Sequence, residues 1–472
     1  MAWRILAEPI SPSQGNHTVH PLRYPTETLA TGPSLGNSVC FARTTPTADL
    51  DHLWMSWSGR WYFGGTTISI TADGLPLRPL WTEHRAESVC CLYEDAGLQI
   101  RMSVRLPYRH APAVALRLIV RCAAQAASEV RVEIRGTFGA RPSPWHRRQP
   151  SPEDVARSFA PVDITPNCLT VRADCGDLLR VSARTGELAW LAPDSWRWTG
   201  TLHMAGKQRE ERALLLEVLH GDDTRSDQLR ISRASRLRLS GMDETIARAV
   251  QWAVINSERV AHRFRAGYGF TNDPPGTLLV TRDMAWFVFG ADWYMPAFCR
   301  RMLDAVVQQG LYPSGKVAEY LDMRCQPAAR EDYGLNIADP TPLFLLAVRH
   351  HAACTGDTAW LSRTYPSVRL AAAYLQSQTV DGLVMCRSTE DTPGRGQCGW
   401  RNVLQGLRIS GSVTELQALS ASALRAAAEM AAACRDVDFA RGCTRAADLA
   451  AEALERTNPG VAAGEVDTGI TP

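Results

Sequence analysis

The chain has 472 residues, of which 45% are hydrophobic and 21% charged, with a formal net charge of +2. That length exceeds one ordinary core and predicts two or three domains, and the near-neutral balance gives no electrostatic reason for a nucleic-acid or anionic-membrane partner. No stretch approaches the ~18 consecutive apolar residues of a membrane span, and the N-terminal MAWRILAEPISPSQGN lacks the apolar core of a signal peptide. A cytoplasmic protein without a membrane partner is expected. The 13 cysteines are scattered without CxxC pairs or a companion His spacing, which predicts neither a disulfide framework nor a zinc site but mostly buried free thiols. No metal and no cofactor are indicated.

From residue 1 to about 240 the pattern is short period-2 runs of β-formers broken by Gly, Pro and Asp: Arg101–Leu106, Val114–Arg121, Val130–Arg135, Leu169–Ala173, Leu179–Ala183 and Leu229–Leu239. These predict an N-terminal antiparallel β-sandwich over 1–240. In Arg101–Leu106, Met102, Val104 and Leu106 should face inward while Arg101, Ser103 and Arg105 face water. Trp54, Trp57 and Trp61 are read either as a stacking platform for sugar rings or as a buried aromatic cluster, the second being favoured. The polar segment Arg141–Pro161 reads as a long loop.

After Gly241 the period changes. MDETIARAVQWAVINSERVAHRF carries Ile246, Ala249, Val250, Ala253, Val254 and Ser257 at helical spacing, with Asp243 and Glu244 in the first turn. Six further helices are predicted over Asp283–Met295, Ala297–Gln309, Thr341–Thr355, Asp357–Val380, Ser412–Cys434 and Asp436–Glu455, making seven in a helical domain over 241–457 followed by an irregular tail over 458–472. Asp339 and Pro340 read as an N-cap and a proline at the first helical position. Long loops (about 265–282, 310–339 and 381–411) precede the second, fourth and sixth helices, and the other junctions are short. An array of helical hairpins with one end built up into a site gives this parity. The chemistry-bearing residues fall at that end: Arg282, Asp283, Glu331, Asp332, Asn336, Glu390, Asp391 and Glu415, where helix N-terminal N–H groups favour carboxylates and hydroxyl ligands.

The loop over 381–411 is far longer than the ~4–6 residues usual between elements. It carries Glu390 and Asp391, then Gly394, Gly396 and Gly399 for backbone freedom, Trp400 as a flat apolar face, and Arg401 and Asn402 as fixed donors. That mixture suits a polyol such as a sugar, so a carbohydrate substrate is the expected partner. Several carboxylates from separate loops suit glycoside cleavage, in which one acid protonates the leaving oxygen and a second carboxylate activates water. Asp391 is the first candidate for the acid and Glu390 the second, since neighbouring acidic groups raise a carboxyl toward neutral pH. Alternatively, Glu390 and Asp391 are exposed turn residues.

TRDMAWFVFGADW, EDYGLNIADPTPLFLLAVRHH, GWRN and SGSVTELQALSASALRAAAEMA together resemble the (α/α)6 six-hairpin glycosidases, near the glycogen-debranching-type amylo-alpha-1,6-glucosidases and the glucoamylase, trehalase and processing-glucosidase relatives. The resemblance covers roughly 240–457, and the N-terminal half only in architecture. It implies a β-sandwich followed by part of an (α/α)6 toroid of about seven helices. It also implies that Arg282 and Asp283 bind the sugar in the cleaved subsite, that Asp391 in Ser388–Pro393 is the general acid, and that Glu415 in Val413–Gln417 binds substrate. Glu331, Asp332, Trp400 and Arg401 complete the expected substrate-binding set.

The family's barrel has twelve helices and draws its general base from near the C-terminal end, whereas seven helices are read here. The expectation is an acid without its base, hence little hydrolysis by this chain alone, with self-association or a second chain completing the barrel. Carbohydrate binding without catalysis and a phosphorylase of related architecture are the alternatives.

Overall fold

The computed structural model describes residues 21–95, 97–106, 113–122, 128–142, 158–191, 193–206, 208–219, 243–271, 276–389, 393–399 and 409–457. It divides into two compact units, 1–264 with 271–277 and 265–270 with 278–472. The order is a sheet-rich N-terminal region followed by helices, as the periodicities predict.

The first unit holds a nine-stranded sheet and two five-stranded sheets, all antiparallel. Their inward residues form one apolar core that includes Ile100, Met102, Val104, Leu116, Val132, Ile134, Trp196 and Leu216. The strand Leu98–Arg105 alternates as expected: Met102 and Val104 are fully buried, while Arg101, Ser103 and Arg105 are half-buried on the other face. Arg105 pairs there with Glu87 at 2.8 Å, a solvated ion pair of the kind worth well under ~1 kcal/mol.

Trp54 and Trp61 are buried at 0% and 4% exposure, so their indoles belong to the interior and present no platform to a sugar. Trp57 is partly buried against the same core. The expected loop over Arg141–Pro161 is too long at both ends, because Ala140–Pro142 and Phe159–Thr165 are strands. Both ends carry residues that pair in register despite their prolines: Pro142 opposite Arg60 and Pro161 opposite Val171. The run Leu229–Leu239 lies outside the described residues.

Helix α1 (Glu244–Val260) starts where expected, with the Asp243 carboxylate accepting from the Thr245 and Ile246 amides. Its buried face keeps Val254 of the expected set but is otherwise different. Ile246 is exposed and the stripe runs through Trp252, Ile255 and Arg259, where Arg259 donates to the Arg85 and Ala86 carbonyls and Trp252 packs on His84. The helix also ends at Val260, and Ala261–Phe264 is a strand.

The remaining helices are α2 (Thr281–Ala291), α3 (Pro296–Gln309), α4 (Pro340–Thr355), α5 (Thr358–Ser377), α6 (Thr414–Ala433) and α7 (Val437–Thr457). Each begins within two residues of its predicted start. Helix α4 packs on both α2 and α6, while α3, α5 and α7 pack against that row, so α2, α4 and α6 run side by side as one layer of the array. Among the described residues no helix is long and apolar enough to cross a membrane, and the cysteines are free thiols, most of them buried.

Candidate functional site at the start of the inner helices

The N-terminal ends of α2 and α4 are joined by one buried ionic cluster. Arg282, in the first turn of α2, donates through Nε and Nη2 to both oxygens of Asp339, the residue before α4, and lies 3.1 Å from Glu319. All three side chains are nearly inaccessible to solvent. Asp339 therefore does not cap its helix, as its place before Pro340 predicts: its side chain makes no capping bond, because the carboxylate is committed to Arg282 and to the amide of Gly399 at 3.1 Å.

The loop over 310–339 is built onto this cluster. Thr281 donates from its amide to the Glu319 carbonyl and from its hydroxyl to the Ala318 carbonyl. Leu278–Val280, Tyr320–Asp322 and Ala329–Glu331 form a small sheet beside them. Lys316, fully buried, donates to Asp332 at 2.6 Å; Tyr312 donates to the same oxygen at 2.9 Å, and the Glu319 amide donates to the other at 2.9 Å. Asp332 is thus held by three donors from its own loop and is 4% exposed. Glu331 is exposed and accepts from the Tyr320 hydroxyl.

The described part of the long loop closes on the same place. Gly396 and Gln397 run parallel to Asn336 and Ile337, and the Asn336 amide donates to the Arg395 carbonyl at 3.0 Å. A Cβ at Gly394 would lie 2.1 Å from the Gly334 carbonyl, and one at Gly396 would lie 2.4 Å from the Cys386 carbonyl. Those two glycines are needed for close backbone approach, and Gly399, with φ of 74°, for a left-handed turn. The buried Asn336 Oδ1 has no hydrogen-bond partner among the described residues. Glu390, Asp391, Trp400, Arg401 and Asn402 lie outside the described residues.

Glu415 is half-buried in the first turn of α6. Burial pushes the Cys398 thiol up, and the charges of Asp339 and Glu415 push it further, which brings Glu415 into the electrostatic neighbourhood of the Arg282 cluster. Burial also raises the half-buried Asp283, with Arg282 opposing and Asp339 adding to the rise. Arg282, Glu319 and Asp339 are thus joined at the starts of α2 and α4, with Asp283 beside them, and Glu415 stands in the first turn of the neighbouring α6. Glu319, Lys316 and the real role of Asp339 escaped sequence reasoning. Glu319 and Lys316 sit in GKVAEYLD, an unremarkable polar run whose burial only the fold creates.

Two carboxylates around one guanidinium cannot both be stabilised as anions in a dry interior. Burial pushes Glu319 up to about 8; Arg282 opposes this, and Asp339, Asp332 and Asp283 reinforce it. The close ion pair with Arg282 argues the other way, but Asp339 holds two hydrogen bonds from that guanidinium, so the upward direction is the physical one. The folded state then binds more protons than the unfolded state, and stability falls as pH rises from the ordinary carboxyl value toward about 8. Glu319→Gln should flatten that slope, read from urea midpoints over a pH series. A variant with the wild-type slope would show that Glu319 is ionised throughout.

No protein-family model matches the sequence, and no curated protein matches it at a significant level. Solved structures do match in shape. A protein from the human microbiome assigned as a kojibiose phosphorylase superimposes with a TM-score of 0.50 at 8% identity, over 87% of this chain and 67% of that one. A bacterial glucoamylase complexed with acarbose superimposes with a TM-score of 0.52 at 10% identity, over 92% of this chain and 70% of that one. The chain shares its fold, a sheet-rich region followed by a helical-hairpin array, with these two structures. In the (α/α)6 architecture, the row α2, α4 and α6 supplies inner helices, and the ionic cluster sits at their N-terminal ends.

Proposed function

We propose that the protein is a carbohydrate-active enzyme of the glycoside-hydrolase kind that acts on α-glucans or related α-glucosides by carboxylate acid/base catalysis, with amylo-alpha-1,6-glucosidase chemistry the first specific activity to test. The observation that carries this reading is the buried cluster of Arg282, Glu319 and Asp339 at the N-terminal ends of α2 and α4, with Asp283 in the same first turn as Arg282 and Glu415 in the first turn of the adjacent α6. Asp391 is the proposed acid and Glu390 the second candidate. Asp391 lies three residues from Gly394, a reach of at most ~11 Å of chain, and Gly394 packs against Gly334. Arg282 holds Asp339 beside Asp283, with Arg282, Asp283, Glu415 and Arg401 binding sugar hydroxyls and Trp400 stacking on the sugar ring. Asp332 serves to fix the loop, and Glu331 lies at its exposed rim.

A phosphorylase is the second reading, favoured by the fold shared with the kojibiose phosphorylase-like protein. One experiment separates the readings: incubate the purified chain with maltooligosaccharides, isomaltooligosaccharides, kojibiose and aryl α-glucosides, with and without inorganic phosphate. Free glucose independent of phosphate supports the hydrolase, and glucose phosphate formed only with phosphate supports the phosphorylase. Saccharide binding without either product leaves a binding protein. Absence of both binding and turnover refutes the carbohydrate reading.

A further inference from the structure

The opposite end of the inner layer carries a second cluster of side chains. Helix α2 is followed by Asp292, and the last turns of α4 carry His350 and Cys354, spaced i and i+4 so that both project from one face. One donor atom from each of the three lies within 4.8 Å of the other two. Cys354 Sγ is 3.4 Å from His350 Nε2, and His350 Nε2 is 4.0 Å from Asp292 Oδ2. With metal distances of ~2.0 Å to nitrogen and ~2.3 Å to sulfur, tetrahedral ligands stand roughly 3.5 Å apart, so the donor separations need close by at most about 1.3 Å.

A second observation points into the same space. Asp292 is 2% exposed with the buried Cys299 thiol beside its carboxylate, and its buried Oδ2 has no geometric hydrogen-bond partner among the described residues, a costly state for a carboxylate oxygen unless something cationic faces it. The other oxygen lies 2.7 Å from His351 Nδ1, and the His351 ring is set edge-on against Trp360 at 4.7 Å. That is how an outer partner fixes a ligating carboxylate. His350 is half-buried beside Phe289, and Cys354 is exposed, which supplies an entry path and leaves a coordination position for water. The carbonyl ends of α2 and α4 add negative potential.

We propose that Asp292, His350 and Cys354 form a binding site for a zinc-like divalent cation that ties the end of α2 to the end of α4. A mixed thiolate, imidazole and carboxylate set selects zinc over the hard cations magnesium and calcium. Asp292 stands about 15 Å along α2 from Arg282 by helical rise, so the ion is separate from the sugar chemistry proposed above. The sequence hid the site because its third ligand lies in a different helical hairpin.

The test is to strip the full-length chain with a chelator and titrate it with Co2+, then with Zn2+. A sulfur-to-cobalt charge-transfer band that saturates at one ion per chain and is displaced by Zn2+ is the expected result. Cys354→Ser should abolish the band and weaken Zn2+ binding at least about tenfold, as should His350→Ala. Cys325→Ser, which removes another exposed thiol, should leave both unchanged. His351→Gln, a positioning variant, should keep the band but weaken affinity ~10–100-fold. Absence of the band at one equivalent, or a band that survives in Cys354→Ser, overturns the proposal and leaves Asp292 as the structural anchor of His351.

Discussion

Asp332→Ala should destabilise the helical unit by ~3–5 kcal/mol, the usual cost of removing one partner of a buried ion pair. The Lys316 ammonium is fully buried and Asp332 nearly so, with 2.6 Å between them. Removing the carboxylate also strips the acceptor from the Tyr312 hydroxyl and from the Glu319 amide. The cost comes from the charge left behind more than from the bond removed, because a buried ammonium deprived of its carboxylate is disfavoured in a dry interior. The double variant Asp332→Ala with Lys316→Met should therefore recover a large part of the loss, and the interaction energy from the cycle should exceed about 1 kcal/mol. Urea denaturation of the four proteins measures it. A single variant within 1 kcal/mol of wild type would mean that Lys316 reaches water, contrary to its place in the fold.

The same contacts explain how the loop over 310–339 reaches the candidate site. Asp332 holds the Glu319 amide, Glu319 flanks Arg282, Arg282 holds Asp339, and Asp339 accepts from Gly399 in the long loop. A loop of that length is ordered because each step is a charge-assisted bond in a low-dielectric setting, where such bonds are strongest.

The periodic half of this fold was legible in the sequence. Alternation in Arg101–Leu106 and helical spacing in α2 to α7 are local properties, and the fold keeps both the alternation and the helix starts. The parity of long and short loops was legible for the same reason, since it depends only on lengths. Less was legible where a residue has two uses. Asp339 before Pro340 carries the local signature of an N-cap, but Arg282, distant in sequence, outbids the helix amides for its carboxylate. Burial of Lys316 and Glu319 left no trace in composition, because each is polar and becomes interior only when the loop folds against α2 and α4. In α1 the apolar positions alone suggested a stripe through Ile246, whereas the stripe that packs is set by Trp252 and the alkyl stem of Arg259, a residue counted as polar.

If Asp391 is the acid, Asp391→Asn should lower kcat on maltooligosaccharides by ~10²–10⁴, the usual contribution of a positioned proton donor. The leaving group decides how much of that loss appears. A sugar alkoxide is a poor leaving group and must be protonated as the bond breaks, whereas a nitrophenolate leaves without help, so the variant should lose far less on an activated aryl α-glucoside. Saccharide affinity should stay near wild type, because asparagine keeps the shape and one acceptor of aspartate. Glu390→Gln is the internal comparison: whichever of the two variants shows the leaving-group-dependent loss carries the proton. Parallel losses on both substrates in Asp391→Asn would assign Asp391 to sugar binding, since an interaction made equally with either leaving group does not depend on proton transfer to it. Unchanged rates in both variants would remove the 381–411 loop from the chemistry and turn attention to Glu319, whose raised carboxyl is the next proton donor near the starts of the inner helices.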